Sequence, residues 1–187
     1  NNTIVGGLAG DALTAGGRNV VMGQGALTTD TLGSRSVSIG YASLTTQNFT
    51  TATETYNTAV GYAAGNAVTT GLKNTLLGAN AGDHLTDADF NVAIGYLALD
   101  ADTKGSGSTA IGLQALTTQD FTTATTTYNT AVGFQAGLAV TTGVANTLFG
   151  ATTGDSITSG DANVLFGYGT DGASATDNSQ HGFGYNL

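Results

Sequence analysis

The sequence contains no proline, cysteine or tryptophan, and only 9 % of its 187 residues are charged. Without cysteine the chain has neither disulfides nor thiolate metal sites. Lys and Arg number four against 13 Asp and Glu, which gives a net charge of −9. Nucleic acid is therefore not an expected partner, since binding its phosphates needs clustered cations. No apolar run reaches the roughly 18 residues of a membrane span, and we expect no membrane insertion.

Glycine is abundant, with 29 residues, but it does not follow the every-third-residue pattern of collagen. Thr, Asn, Ala and Gly dominate, with Val, Ile and Leu at spaced intervals. That mixture suits tight turns and short strands, and the length suggests one domain. The chain begins inside a repeat and without Met, as we expect for a piece of a longer or processed protein.

The nine residues NTAVGYAAG at 57–65 recur almost unchanged as NTAVGFQAG at 129–137. A unit anchored on Asn or Ser, with Gly four residues later, occurs ten times. The anchors are Asn2, Asn19, Ser36, Asn57, Asn74, Asn91, Ser108, Asn129, Asn146 and Asn163. Successive anchors are 17 residues apart, except that two intervals are 21. A fixed period of this length predicts a solenoid of stacked units.

Counted from the anchor as position 1, each column of the aligned units has a physical meaning. Asn at position 1 fits a corner, and stacked Asn side chains can form an amide ladder. Position 5 is Gly in all ten units, which predicts positive φ or crowded backbones there. Positions 2 and 4 share one face of a strand, because side chains alternate along it. Position 4 is always large and apolar.

Positions 9 and 12 predict one core slot per coil, filled from either side of a turn. Where position 9 is Gly, position 12 is apolar, as in Gly65 with Val68. Where position 9 is Leu, position 12 is polar, as in Leu99 with Asp102. Nine units obey this rule, and the last, with Asp171 at position 9, does not. Filling the slot twice would overpack a thin core.

These columns predict an all-β fold, a parallel β-solenoid of about ten 17-residue coils with two short strands and two turns each. The repeat domain covers residues 1–170, and 171–187 form an irregular C-terminal cap or linker. Neighbouring coils are expected ~4.8 Å apart, so ten coils span about 48 Å.

Position 3 points away from positions 2 and 4 but is also apolar, which is typical of a strand buried on both faces. We therefore predict a homo-oligomer whose seam is this column. The alternative is that the Ala-rich stripe is simply exposed. The predicted seam consists of Ile4, Val21, Ala59, Leu76, Ala93, Ala110, Ala131, Leu148 and Leu165.

The units NTAVGYAAG, NVAIGYLAL, STAIGLQAL and SVSIGYASL resemble the head repeats of YadA-like trimeric autotransporter adhesins. They resemble even more the NTA(V/I)GYxAL repeats of bacteriophage tail fibres and related surface fibres. The likeness covers residues 2 to about 170, although the period of 17 is longer than the adhesin head unit. The resemblance implies a left-handed parallel β-roll, a homotrimer, and an extracellular location on a virion or cell surface.

No catalytic set is visible, since His84 and His181 are the only histidines and lie far apart. The best candidate for chemistry or metal binding is Asp83, His84, Asp87 and Asp89, whose carboxylates offer oxygen ligands to Ca²⁺. We interpret this group as a solvated turn. We therefore predict a protein that is not an enzyme, with no cofactor and no metal. A glycan-cleaving enzyme with paired carboxylates stays an alternative.

The two longer units contain TTQNFTTATETY at 45–56 and TTQDFTTATTTY at 117–128, and each inserts four residues at the same place, four coils apart. Aromatic rings among hydroxyls suit sugar or receptor binding, because rings stack while hydroxyls form hydrogen bonds. The other interpretation is a bulged turn whose Phe folds back over the coil as a plug. The candidate receptor-binding residues are Phe49, Thr50, Glu54, Tyr56, Phe121, Thr122 and Tyr128.

Together these patterns favour a structural segment of a phage tail fibre or virion appendage that presents, or contributes to, host-receptor binding. The expected partners are copies of the chain and a cell-surface glycan or receptor. One alternative is a bacterial trimeric adhesin head, which shares the scaffold. Another is an ice-binding β-solenoid, suggested by recurring Thr pairs such as those at 28–29 and 69–70.

Overall fold

The computed structural model describes residues 1–186 and contains no helix in that range. Eleven strands of three residues form one sheet, and four strands of two residues form two small sheets. The main sheet comprises β1 (Thr3–Val5), β2 (Val20–Met22), β4 (Val37–Ile39), β6 (Thr58–Val60), β7 (Thr75–Leu77), β8 (Val92–Ile94), β10 (Thr109–Ile111), β12 (Thr130–Val132), β13 (Thr147–Phe149), β14 (Val164–Phe166) and β15 (His181–Phe183). The small sheets pair β3 (Gly33–Ser34) with β5 (Thr53–Glu54), and β9 (Gly105–Ser106) with β11 (Thr125–Thr126).

Every strand of the main sheet runs parallel to its neighbours and follows them in chain order. Thr58 pairs with Thr75, one period of 17 away, whereas Val37 pairs with Thr58 across a longer unit of 21. The repeat period is therefore the register of the sheet, and the predicted parallel β-solenoid is confirmed. Each small sheet pairs two residues of a longer unit with two residues of the 17-residue unit before it, so the extra residues add a second parallel pairing.

The stack has eleven turns rather than the ten predicted. The last strand, β15, pairs in parallel with β14, and Gly182 lies opposite Leu165. The sequence assigned this segment to an irregular cap, which is wrong for His181–Phe183. In this unit Gln180 replaces the anchor Asn or Ser, so the repeat pattern does not extend to it. The Gln180 backbone nitrogen still donates a 2.8 Å hydrogen bond to Asn163 Oδ1.

The strands face the opposite way from the prediction. Eight of the nine predicted seam residues are at most 1 % exposed and form the core: Val21, Ala59, Leu76, Ala93, Ala110, Ala131, Leu148 and Leu165. Ile4, in the first coil, is 41 % exposed. Position 3 points inward, so positions 2 and 4 point outward, and the predicted oligomer seam is wrong.

The interior explains this orientation. A Cβ added to Gly65 would lie 2.5 Å from Leu76 Cδ1, and one added to Gly82 would lie 2.8 Å from Leu76 Cδ2. Leu76 therefore occupies the space that glycine leaves at position 9 of two coils. The limited space in the core also explains the rule for positions 9 and 12. Leu99 at position 9 of one coil and Leu85 at position 12 of another are both fully buried. Ala at position 3 or 8 fits an interior that is only one side chain thick.

Glycine at position 5 marks the closest approach between coils. Its φ lies between 126° and 146° in the ten aligned units, a range that side chains with Cβ rarely adopt. A Cβ added to Gly61 would lie 2.3 Å from the carbonyl oxygen of Gly78 in the next coil. Positive φ and backbone crowding, both predicted for this column, are confirmed.

Asparagine at position 1 joins the coils at a corner. Asn74 Oδ1 accepts a 2.9 Å hydrogen bond from the Asn91 backbone nitrogen, and Asn74 Nδ2 donates one of 2.8 Å to the Ala88 carbonyl. The predicted amide ladder is thus mainly a side chain to backbone ladder. A direct amide to amide bond occurs between Asn163 Nδ2 and Asn146 Oδ1, at 3.0 Å.

Candidate binding surfaces

The outward face of the main sheet carries a continuous apolar column at position 4. Six of these side chains are between 36 % and 67 % exposed, and the others are half-buried. The column consists of Val5, Met22, Ile39, Val60, Leu77, Ile94, Ile111, Val132, Phe149, Phe166 and Phe183. Each residue is paired in register with the next. The prediction that position 3 faces outward implies that position 4 faces inward, but position 4 lies outside. We call the surface of this column the sheet face.

Aromatic rings stack along the sheet face and beside it. Phe166 stacks between Phe149 and Phe183, with ring centroids 5.8 Å and 5.4 Å away. At position 6, beyond the glycine, Tyr41 stacks on Tyr62 at 5.3 Å. These separations are close to the ~4.8 Å spacing of coils, so identical residues in one column stack without distortion. The rings are about half exposed and present flat apolar surface to a partner.

The two longer turns keep their phenylalanines inside. Phe49 and Phe121 are 7 % and 8 % exposed, so their rings are not available to a receptor and these two candidates are wrong. The other interpretation, in which the Phe of a bulged turn folds back over the coil as a plug, agrees with the burial of both rings. Both turns fold back because a carboxylate is buried beneath them.

Asp102 is the centre of that buried network. Its Oδ1 accepts hydrogen bonds from the backbone nitrogens of Gly105 at 2.9 Å and Phe121 at 3.1 Å. Its Oδ2 accepts one of 2.5 Å from Gln119 Nε2, and Gln119 Oε1 accepts one of 2.8 Å from Asn129 Nδ2. Burial raises the pKa of Asp102, and the hydrogen bonds from Gln119, Phe121 and Gly105 oppose that rise. Polar residues at position 12, predicted to leave the core slot to Leu, therefore have a buried role.

The first longer turn repeats this network with Asp30 and Gln47. Gln47 Nε2 donates a 2.6 Å hydrogen bond to Asp30 Oδ2, and Asn57 Nδ2 donates one of 2.9 Å to Gln47 Oε1. The Phe49 backbone nitrogen donates to Asp30 Oδ1 at 3.1 Å. The two turns are thus equivalent in their buried parts and differ only in what they expose.

Of the candidate receptor-binding residues, Thr50, Glu54, Tyr56, Thr122 and Tyr128 are exposed. Arg35 Nη2 lies 2.8 Å from Glu54 Oε1, and the Arg35 guanidinium covers the Tyr56 ring at 5.4 Å from its centroid. The Tyr56 hydroxyl donates a 2.7 Å hydrogen bond to Glu54 Oε2. That bond lowers the pKa of the Glu54 carboxyl and raises the pKa of the Tyr56 hydroxyl.

Arg35 and Tyr56 belong to a column at the residue just before each anchor, which we call the corner column. Every member has positive φ, which turns its side chain out at a corner of the solenoid. The column consists of Arg18, Arg35, Tyr56, Lys73, Phe90, Gly107, Tyr128, Ala145, Ala162 and Ser179. Three of the four cations of the chain lie in it.

The corner column opens into a cleft at Gly107. The cleft has a volume of about 380 Å³ and is lined by Asp89, Phe90, Ser106, Gly107, Thr126 and Tyr128. Tyr128 and Asp89 are both candidates from the sequence, as a receptor-binding residue and as a metal ligand, but the cleft that they line was not predicted. The signal was available in the aligned units, since reading down the corner column shows glycine between two aromatic residues.

Asp83, His84 and Asp100 form the one cluster of candidate metal ligands within residues 1–186, with one ligand atom of each within 4.8 Å of the others. His84 Nδ1 lies 2.9 Å from the Asp100 carbonyl oxygen and 3.8 Å from Asp100 Oδ1. Burial raises the pKa values of Asp83 and Asp100, while the nearby His84 opposes the rise. Asp87 and Asp89, the other predicted members, are not in this group, because the partner comes from the next coil.

The threonine pairs contribute hydrogen bonds to the stack. Thr69 Oγ1 donates a 3.1 Å hydrogen bond to the Thr86 carbonyl in the next coil. Thr46 Oγ1 donates one of 2.7 Å to the Asn66 carbonyl, and Thr141 Oγ1 one of 3.1 Å to the Thr158 carbonyl. These hydroxyls link neighbouring coils, so the recurrence of threonine pairs has a structural cause.

Comparison of the chain with protein-family models, with curated proteins and with solved structures finds no match. Residues 1–186 include no helix long and apolar enough to cross a membrane.

Proposed function

We propose that the chain is a structural segment of a phage tail fibre or virion appendage, in which copies pack side by side through the sheet face. The observation that carries this proposal is the unbroken outward column of position 4, from Val5 to Phe183. Water disfavours such a surface, and a second copy of the same column covers it in register.

The dimensions of the sheet face support a partner of the same kind. Eleven strands at ~4.8 Å give a length of about 48 Å, and three residues at ~3.3 Å give a width of about 10 Å. The resulting area, on the order of 500 Å² per copy, lies in the upper part of the ~300–600 Å² that the largest patch on a monomer covers. It also approaches the ~800 Å² per partner of a stable interface. The stacked tyrosines at position 6 widen the strip further.

The number of copies and the hand of the solenoid follow from the resemblance to trimeric fibres. We propose a left-handed roll and a trimer with the three sheet faces around one axis, exposed to the extracellular medium. The corners then point away from the axis. Thr50, Glu54 and Tyr56, with Thr122 and Tyr128 four coils later, contribute to binding a host glycan or receptor.

Two neighbouring residues test the assembly. Leu77 is 46 % exposed on the sheet face, while Leu76 is fully buried. We expect Leu77→Asp to reduce the mass of the protein in solution from about 55 kDa for a trimer of 18.5-kDa chains to that of a monomer. The circular dichroism spectrum of the variant should match that of the parent protein, because Leu77 is not part of the core. Light scattering after size exclusion at micromolar concentration measures the mass.

Thr70→Asp is the matched control, since it adds the same charge at an exposed threonine outside the sheet face, and it should leave the mass unchanged. Leu76→Asp should unfold the chain instead, because it buries a charge. A parent protein that is monomeric at micromolar concentration, or a Leu77→Asp variant that assembles like the parent, would contradict the proposal.

A further inference from the structure

From Arg35 to Phe90 the corner column alternates cations and aromatic rings. The Arg35 guanidinium lies 5.4 Å from the Tyr56 ring centroid, and Lys73 Nζ lies 4.9 Å from the Phe90 centroid. These two cations thus each cover the ring of the coil that follows. Gly107 comes next, followed by Tyr128, so the fifth member of the alternation has no side chain. The Tyr128 ring is 68 % exposed.

The repeated block identifies what is missing. Gly107 and Tyr128 each lie 72 residues after Arg35 and Tyr56, so Tyr128 has the position of a ring that a guanidinium covers in the first block. A Cβ added to Gly107 would lie 3.6 Å from Tyr128 Cδ1. The space above this ring is therefore open, and it forms the 380 Å³ cleft.

The spacing of the rings suits one planar group. Phe90 and Tyr128 are two coils apart, which is about 9.6 Å at ~4.8 Å per coil. A group at the level of Gly107 then lies about 4.8 Å from each ring, well inside the ~6 Å range of cation–π attraction. That is close to the distances that Arg35 and Lys73 make to their own rings.

Charge at the cleft favours a cation over a neutral ring. In the first block Glu54 neutralises Arg35, while Thr126 stands at the corresponding place in the second. Asp89 compensates from the preceding coil, where the first block has Gly17. Asp89 Oδ1 accepts a 2.7 Å hydrogen bond from the Leu72 backbone nitrogen, which fixes the carboxylate at the cleft.

We infer that the cleft between Phe90 and Tyr128 binds a guanidinium group, stacked between the two rings and neutralised by Asp89. The group comes either from a free guanidino compound or from an arginine side chain of a partner protein. This inference goes beyond the proposed fibre role and does not depend on assembly, since one chain supplies every residue of the cleft.

Titration of ¹⁵N-labelled protein with acetyl-arginine-amide tests the inference. We expect chemical-shift changes confined to residues 89–90, 106–107 and 126–128, with a dissociation constant on the order of 1 mM for an exposed site of this type. Acetyl-citrulline-amide has a similar shape but is neutral, and it should bind at least about tenfold more weakly. That ratio corresponds to ~1.4 kcal/mol of binding free energy. A capped pentapeptide with a central arginine distinguishes the two sources. If it binds at least as tightly as acetyl-arginine-amide, the natural ligand is an arginine side chain of a protein. If it does not bind, the ligand is a free guanidino compound.

Variants of the cleft sharpen the test. Gly107→Arg places a tethered guanidinium in the cleft, as Arg35 does at its own φ of 67°, and should abolish the ligand-induced shifts. Gly107→Ala leaves the cleft open and should retain binding within about twofold. Asp89→Asn keeps the acceptor for Leu72 while removing the charge, and should weaken binding several-fold. Tyr128→Leu removes one of the two rings and should also weaken binding. It replaces Gly107→Arg as the test if that variant does not fold.

Equal binding of citrulline and arginine derivatives, or unchanged binding in Gly107→Arg, would overturn the inference. Shifts spread over the acidic surface would do the same, because they indicate unspecific attraction to a chain of net charge −9. Repeating the titration on Leu77→Asp separates the two proposals. If the monomeric variant still binds the guanidinium group, the site is independent of the fibre role. If the parent protein assembles but does not bind, the inference about the cleft is overturned and the proposed fibre role is not.

Discussion

Asn74 joins three successive coils through one side chain and its own backbone. Its backbone nitrogen donates to Asn57 Oδ1, and its Oδ1 accepts from the Asn91 backbone nitrogen, both at 2.9 Å. The amide nitrogen also holds the Ala88 carbonyl of its own coil. All these groups are buried, where an unpaired polar group is costly. An anchor of this kind needs a donor and an acceptor on one short side chain, which explains the preference for asparagine.

We expect Asn74→Ala to reduce the free energy of unfolding by about 1–3 kcal/mol for each of the two backbone groups left without a partner. Asn48→Ala, at an exposed turn position, should change it by less than about 0.5 kcal/mol. Urea denaturation of both variants measures the difference. Equal losses in the two would mean that the corner bonds do not stabilise the stack.

At the scale of the single element, the buried carboxylate of Asp102 under the second longer turn makes stability depend on pH. Burial raises the pKa of Asp102 above that of an ordinary Asp, ~3.9. The native state therefore holds this proton more tightly than the unfolded chain does. The resulting contribution to stability is fully present below the unfolded pKa and is lost as the pH rises through the native pKa.

Asp102→Asn should remove this dependence. The stability of the variant relative to the parent should rise with pH above about 4, with a slope of at most ~1.4 kcal/mol per pH unit for one proton. Urea midpoints measured from pH 3.5 to 7 test this expectation. Asp87→Asn, at an exposed turn, is the control. A difference between Asp102→Asn and the parent that is constant over this range would contradict the assignment.

The elements also show where sequence reasoning succeeds and where it fails. Period, glycine column and corner asparagine were predictable, because each depends on backbone geometry that recurs in every coil. The direction of the strand was not, since a three-residue strand with Leu76 and Leu77 side by side has no polar face to orient it. Side-chain volume held the missing information: position 3 is often alanine and suits a thin core, whereas Phe149 and Phe166 at position 4 do not.

The features of the candidate sites that the sequence did not predict depend on contacts between residues of different coils. Asp100 reaches His84 from the next coil, and Phe90 faces Tyr128 across Gly107. Such neighbours become visible only after the register is applied to every column, polar ones included. The burial of Phe49 depends on Asp30, 19 residues earlier, and no local signal separates a buried from an exposed aromatic in such a turn.

At the scale of the whole molecule, each coil contacts only its neighbours, so stability grows coil by coil. Removing residues 75–91 joins Asn74 directly to Val92, the strand residue that follows the next anchor. We expect this deletion to yield a folded protein with a cooperative urea transition, whose dependence on denaturant is smaller by roughly a tenth. Removing only residues 75–82 breaks the register and should prevent folding. Circular dichroism distinguishes the two, and an unfolded 17-residue deletion would contradict the one-dimensional description.

The strands lie across the long dimension of the stack, so the hydrogen bonds between coils point along it. A load pulling on the two ends of one chain therefore strains these bonds one rung at a time instead of shearing a whole sheet at once. Each 17-residue rung that peels away releases about 56–61 Å of fully extended chain. A single solenoid therefore yields to tension coil by coil, and close lateral contact with sister rods would give it tensile strength.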